Sequence, residues 1–150
     1  MKIAIASDHA AIDMKSELAE WMREAGHDVL DLGPDSAESV DYPAYGAKLA
    51  DAVASGDAER GVALCGSGIG IAIAVNRNPA VRCAQVGDPL SAKLARSRND
   101  ANAIAMGARL IGPEMAKACL AAFLETEFAD AGNPDGRHQR RVDMLENPSA

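Results

Sequence analysis

The chain has 150 residues, long enough for one domain with an enclosed core. Apolar residues make up 48%, with alanine the most common, and only 3% are aromatic, too few for platforms that stack bases or sugars. A formal net charge of −7 argues against nucleic acid or an anionic membrane as main partner, while leaving room for a small anion held by a local basic cluster.

In chain order, KIAIA (2–6) reads as a buried strand and residues 10–26 as a helix whose apolar side carries Ile12, Leu18, Trp21 and Met22, with Gly26 placed to end it. DVLDLG (28–33) is a second strand. YPAYGAKLADAVASG (42–56) is a second helix, with Pro43 in its first turn. RGVALC (60–65) is a third strand, followed by a helix over 69–76. AVRCAQV (80–86) is a fourth strand, and the helix over 88–98 has Asp88 as cap and Pro89 at its first position. NAIAMG (102–107) is a fifth strand, and residues 112–128 a helix. No repeat, low-complexity tract or linker appears before residue 130, so residues 1–150 are expected to form one domain. Residues 129–150 are its C-terminal loop and basic tail or helix. The apolar start is too short for a signal-peptide core and no run approaches a membrane span, so the chain reads as soluble and cytoplasmic.

Fivefold alternation of strand and helix predicts a three-layer, doubly wound α/β fold, Rossmann-like or flavodoxin-like, on a five-stranded parallel sheet. Ligands of such folds bind beyond the carboxyl ends of the strands. There this sequence places Asp8 and His9, then Cys65 with its glycine loop, then Gly87 and Asp88, then Gly107 and Arg109.

The loop Gly66-Ser67-Gly68-Ile69-Gly70 lacks the Lys-Ser/Thr pair of a P-loop and the spacing of the dinucleotide fingerprint. Two readings stand: a tight turn that needs glycine for packing, or a cradle of backbone N–H groups for a phosphate or an oxyanion. The three cysteines, with no CxxC spacing, suggest neither a disulfide framework nor a zinc site. Cys83 and Cys119 read as small core hydrophobes. Cys65 differs, because a thiol at a strand end beside a helix N-terminus suits a general base or nucleophile. His27 falls in a turn. Asp8 and His9 either contact a ligand or cap the following helix, and Tyr42 stands at the entrance to the second helix. GRHQRRV (136–142) is the one dense basic cluster. If helical, it puts Arg137 and Arg141 on one face, spaced to grip one phosphate; otherwise it is a solvated tail. Arg109 is a third candidate for the same anion.

Together SDHA (7–10), DYP (41–43), CGSGIGI (65–71), RNDAN (98–102), GAR (107–109) and GRHQRRV resemble, in order and across nearly the whole chain, the ribose-5-phosphate isomerase B family. That family also includes isomerases of allose and galactose 6-phosphates. The resemblance implies an aldose–ketose isomerase that needs no metal or cofactor and works through an enediolate. By position, Cys65 would be the base moving a proton between C1 and C2. Ser67 and the amides of Gly66, Gly68, Ile69 and Gly70 would hold the oxyanion. Asp8, His9, Tyr42 and Asn99 would contact the sugar, while Arg109, Arg137 and Arg141 would take the phosphate. It also implies a homodimer with each site completed by the partner chain, pairing into tetramers being left open.

One position departs from the pattern: Arg98 stands where the family commonly has a histidine that opens the furanose ring. An arginine cannot shuttle that proton. Either Arg98 steadies an oxygen while rings open unaided, or another residue such as His9 takes over, or the substrate never closes into a furanose, as a tetrose 4-phosphate cannot. A hexose 6-phosphate isomerase, and a sugar-phosphate-binding relative impaired in catalysis, are the remaining alternatives. A second departure is FADAGNPDGRH (128–138), which reads as an extended loop.

Overall fold

Side chains that alternate along a parallel strand must be covered on both faces, and here the two faces are made of different residues. The computed structural model describes residues 1–148. Within them, the strands β1 (Lys2–Ser7), β2 (Asp28–Asp31), β3 (Arg60–Cys65), β4 (Cys83–Gln85) and β5 (Ala103–Gly107) pair in parallel in the order β2-β1-β3-β5-β4. The helices are α1 (Ile12–Glu24), α2 (Tyr42–Ala54), α3 (Ile69–Val75), α4 (Pro89–Asn99), α5 (Pro113–Glu125) and α6 (Arg137–Glu146). This is the expected three-layer α/β architecture, with β4 and β5 exchanged relative to the flavodoxin order.

Ile3, Ile5, Val62, Leu64, Ile104 and Met106 point to one face, where they pack with Leu18 and Met22 of α1, Ala92 and Ala95 of α4, and Leu120 and Phe123 of α5. The other face presents Ala4, Ala6, Ala63, Cys65, Ala103 and Ala105 to Leu49 and Val53 of α2 and Ile71 and Val75 of α3. Alanine's abundance is thus spent on one side of the sheet, where it lets α2 and α3 lie close.

The local signals act as expected. Gly26, at φ +90°, ends α1, and the N–H of His27 closes back on the carbonyl of Met22. Asp88 caps α4 through the N–H of Ser91 at 2.8 Å, with Pro89 in the first turn. Boundaries differ where side chains take over backbone pairing. The fourth strand shrinks from the expected 80–86 to Cys83–Gln85, because the Asn102 amide accepts from the N–H of Arg82 and donates to the carbonyl of Ala80. Asn76 likewise brackets Cys83, donating to its carbonyl and accepting from its N–H, both at 2.8 Å. Two asparagines therefore occupy the backbone of the edge strand. Residues 9–11 form a 3-10 turn before α1, and the basic tail is helical.

Helices α2 and α3 meet through Gly46, where a Cβ would stand 2.8 Å from Cβ of Ala74 and 3.4 Å from Ile71. One turn earlier, the ring of Tyr42 lies on Gly70, within 2.9 Å of where a Cβ would stand. The two contacts share a register along both helices. Gly46→Val should therefore force the helices apart and lower stability by about 1–3 kcal/mol, the usual cost of overpacking. Urea denaturation of the two proteins checks this, and an unchanged midpoint would show that α2 and α3 can part freely.

Candidate active site

Parallel register decides which strand ends are neighbours. Ser7 pairs with Leu64 and Cys65 with Gly107, so the segments that follow β1, β3 and β5 leave the sheet side by side. A cleft of about 530 Å³ opens there, lined by Asp8, Tyr42, the Cys65–Ser67 segment, Ile69, Gly70, Arg109 and Leu110.

Its floor is built by backbone interlock. Gly68 adopts φ +75°, a conformation glycine supplies without steric cost, and a Cβ on it would stand 2.7 Å from the Met106 carbonyl carbon. A Cβ on Gly107 would meet the Ser67 backbone at 2.6 Å. The loop after β5 is tied to the glycine loop by the N–H of Ala108 on the carbonyl of Cys65 at 2.9 Å and that of Arg109 on the carbonyl of Gly66 at 3.0 Å. The turn so held aims the N–H of Gly68 at Sγ of Cys65, 3.1 Å away. Cys65 is 4% exposed, and that small surface belongs to the cleft. The glycines are required for packing, and the packed turn presents amide hydrogens.

Ser67 Oγ accepts the N–H of Ile69 at 3.2 Å, which leaves its own hydrogen to donate. The N–H groups of Gly66, Ser67 and Gly70 find no acceptor among the described residues. The guanidinium of Arg109 lies across Gly66, about 3.3 Å from where a Cβ would stand, and forms no ion pair among the described residues. Asp8 is both cap and wall: Oδ1 accepts the N–H of Ala10 at 2.9 Å, while the residue lines the cleft. His9 stands behind it and does not line the cleft. Its Nδ1 accepts the N–H of Val40 at 3.2 Å, so in the neutral ring Nε2 carries the hydrogen. A thiol, several N–H donors and a guanidinium without an ion pair among the described residues thus share one small space.

Arg98, Asn99, Arg137 and Arg141 are elsewhere. Helix α4 starts at the rim of the cleft and runs back to the start of β5, so Arg98 and Asn99 end at the opposite edge of the sheet. β5 alone spans about 16 Å of that separation at ~3.3 Å per residue. Asn99 lines a different cleft, with Arg82, Cys83 and Leu145. The 128–138 stretch, expected as an extended loop, is instead a run of tight turns up to Gly136, closed by the Asn133 N–H on the Asp130 carbonyl and the Gly136 N–H on the Asn133 carbonyl, and it is tied to α4 by the Ala129 N–H on the Ser97 carbonyl at 2.9 Å. It then enters α6 through Asp130, which accepts from His138 N–H at 2.7 Å and Gln139 N–H at 3.1 Å. None of these four residues lines the cleft that holds Cys65. The sequence reading also missed Leu110, whose apolar side chain gives no chemical signal, and Gln85, whose amide reaches the Ser67 carbonyl at 3.5 Å.

The chain is similar to known proteins over nearly its whole length. Residues 3–145 match the Ribose/Galactose Isomerase family. The ribose-5-phosphate isomerase B of Escherichia coli (strain K12) is 39% identical over 144 residues, 96% of this chain and 93% of that protein. A D-erythrulose-4-phosphate isomerase of Pectobacterium atrosepticum is 42% identical over 134 residues, 89% and 88% of the two chains. Among solved structures, the ribose-5-phosphate isomerase B of Clostridium thermocellum superposes with a TM-score of 0.94 at 40% identity, covering 99% of this chain and 97% of that one.

The three thiols should react differently with iodoacetamide, because only the thiolate is nucleophilic. Burial pushes the Cys83 thiol up to about 12, leaving roughly one thiolate in 10⁴ at pH 8. Cys119 is fully buried, and its thiol is raised by that burial and then by the charge of Asp88. Peptide mapping at pH 8 should find one equivalent of label on Cys65, with Cys83 joining only as the pH approaches 12. Label arriving first on Cys83 or Cys119 would contradict the placement of Cys65 in the cleft.

Proposed function

The chain belongs to the ribose/galactose isomerase family, and from that premise we propose that it interconverts ribose 5-phosphate and ribulose 5-phosphate through an enediolate, with Cys65 as general base and without a metal. The observation that carries this reading is the Gly68 N–H on Cys65 Sγ at the floor of a cleft that also holds free amide donors and Arg109.

A proton alpha to a carbonyl is weakly acidic. Removing it requires a base within reach and donors for the oxygen that becomes negative. The Cys65 thiolate takes the proton from C2, the C–H electrons form the C1–C2 double bond, and the carbonyl oxygen at C1 gains the charge. Ser67 Oγ–H and the N–H groups of Gly66, Ser67 and Gly70 are the donors for that oxygen, with Gly68 and Ile69 shaping the turn that carries them. Return of the proton to C1, with the O2 hydrogen passed to O1, gives the ketose. Asp8 and Tyr42 hold sugar hydroxyls and Arg109 attracts the phosphate, while His9, expected to contact the sugar, stands outside the cleft with its Nδ1 on the Val40 N–H.

The other four residues act, on this reading, in the site of a second copy. Arg137 and Arg141, one turn apart on α6, grip the phosphate there, and Arg98 and Asn99 meet the sugar. Their distance from Cys65 in one chain supports a homodimer. So do Ile69 and Ile73, which lie one turn apart on α3 beside the cleft and are 55% and 53% exposed. Among the described residues no helix is long and apolar enough to cross a membrane.

A tetrose 4-phosphate is the second reading. Arg98 favours it, because a tetrose with its C4 oxygen phosphorylated needs no furanose opening, and the Pectobacterium relative carries that substrate in its name.

Cys65→Ala should lower kcat at least about 100-fold, the low end for removal of a general base. A wild-type rate in the purified variant would remove Cys65 from the chemistry. In D₂O the wild type should wash deuterium into unreacted substrate, whereas a protein that only binds sugar phosphate would incorporate none. In a panel of four- to six-carbon aldose phosphates, ribose 5-phosphate should have the highest kcat/KM. A preference for erythrose 4-phosphate would install the tetrose reading instead.

A further inference from the structure

Asn99 and Arg98 end α4 at a turn that the chain holds unusually firmly. Asp100, which follows, adopts φ +45°, a left-handed conformation uncommon outside glycine and most tolerated by Asn and Asp. Arg82 grips this turn with its whole guanidinium. Its Nε donates to the carbonyls of Asn99 and Asp100, both at 3.2 Å, and its Nη2 to the Asp100 carbonyl at 2.9 Å and carboxylate at 3.1 Å. Its Nη1 pairs with the carboxylate of Glu146, in the last turn of α6. On the other side of Asp100, the buried Arg96 donates to the second carboxylate oxygen at 2.7 Å and to the Ala101 carbonyl at 2.8 Å. A cleft of about 340 Å³ lined by Arg82, Asn99 and Leu145 marks the surface on which the turn and the end of α6 lie together.

A surface turn needs no such hub for stability alone, since water satisfies exposed carbonyls. What this fork does is fix two separate elements to each other: the turn that carries Arg98 and Asn99, and the helix that carries Arg137 and Arg141. We propose that Arg82 is a positioning residue for isomerisation, locking these four residues into one preassembled unit that is presented to the Cys65 cleft of a second copy. The proposal rests on the reading that the site is shared between copies. Positioning of this kind has large leverage, because a misplacement of ~1 Å at a reacting centre costs on the order of 100-fold in rate. Only a planar fork can span Asn99, Asp100 and Glu146 at once, so a lysine would not replace it.

The test uses Arg82→Gln, Arg82→Lys and Glu146→Gln, of which the last touches only an exposed carboxylate. Arg82→Gln and Arg82→Lys should each lower kcat/KM by about tenfold or more, while Cys65 in the same proteins keeps its wild-type rate of alkylation. Glu146→Gln should raise KM severalfold with kcat little changed, because α6 carries the phosphate-gripping arginines. The decisive measurement is complementation in mixed dimers, co-expressed with two tags and purified through both. A dimer of Cys65→Ala with Arg82→Gln keeps one site in which both contributions are intact, and should recover about half the wild-type rate, as two-fold symmetry requires. The control dimer pairs Cys65→Ala with Arg141→Ala. If the control recovers and the Arg82→Gln dimer does not, Arg82 acts on its own chain's cleft and the proposal fails. If the control also stays inactive, the shared site itself is wrong and the proposal falls with it. Wild-type kinetics in both Arg82 variants would overturn it directly.

Discussion

The candidate site depends on two backbones passing too close for any side chain to stand between them. Where the loop after β3 meets the loop after β5, Gly68 and Gly107 face the other strand's main chain at distances a Cβ does not tolerate. That contact fixes the Gly68 N–H on the Cys65 sulfur, stretches the Arg109 guanidinium over Gly66, and leaves three amide hydrogens open toward the cleft. A larger residue at either position would separate acid–base chemistry from anion binding even if every polar side chain stayed. Enzymes gain most from donors that need no reorganisation when charge develops, and an interlocked backbone is stiffer than any side chain in that role.

The division of the sheet into a bulky face and an alanine face serves the same end. On the alanine face the helices come close enough for Gly46 to touch Ala74, and the same register seats Tyr42 on Gly70. Had β1, β3 and β5 carried isoleucines on both faces, α2 would stand further out and Tyr42 would miss the rim. Composition that looks like bland helix-forming sequence is therefore part of how the cleft acquires its wall.

Much of this was legible in the sequence because it is local. Period-2 and helical patterns located the five strands and the first five α-helices, leaving the basic tail open between helix and solvated tail, and Gly26, Asp88 and Pro89 marked ends correctly, since caps act within a few residues. The short edge strand was not legible, because it is cut back by the amide of Asn102, twenty residues from Arg82. Nor was the exchange of β4 and β5, which depends on pairing between distant segments. The glycine loop, Cys65 and Arg109 could be grouped from strand ends alone. Arg98 and Asn99 were grouped with them only through resemblance, although alternation already implied otherwise: a helix that follows a strand returns its last residues to the far edge of the sheet.

Electrostatics completes the separation. An acidic chain must keep its anion-binding cations from being neutralised by its own carboxylates, and this one does so by pairing its structural cations instead. Lys15 is buried against Asp31, Arg96 and Arg82 share Asp100, Arg82 reaches Glu146, and Lys117 pairs with Glu17 and Glu114. None of these pairs involves Arg98, Arg109, Arg137 or Arg141. The exposed pairs among these, such as those of Lys117, contribute little to stability, so their value lies in which charges they remove from circulation. Arg109 beside the cleft, and Arg98, Arg137 and Arg141 away from it, are among the arginines that form no ion pair among the described residues. A net charge of −7 therefore does not preclude a locally positive cleft, because Arg109 forms no ion pair among the described residues and a local field need not follow the sum over the chain.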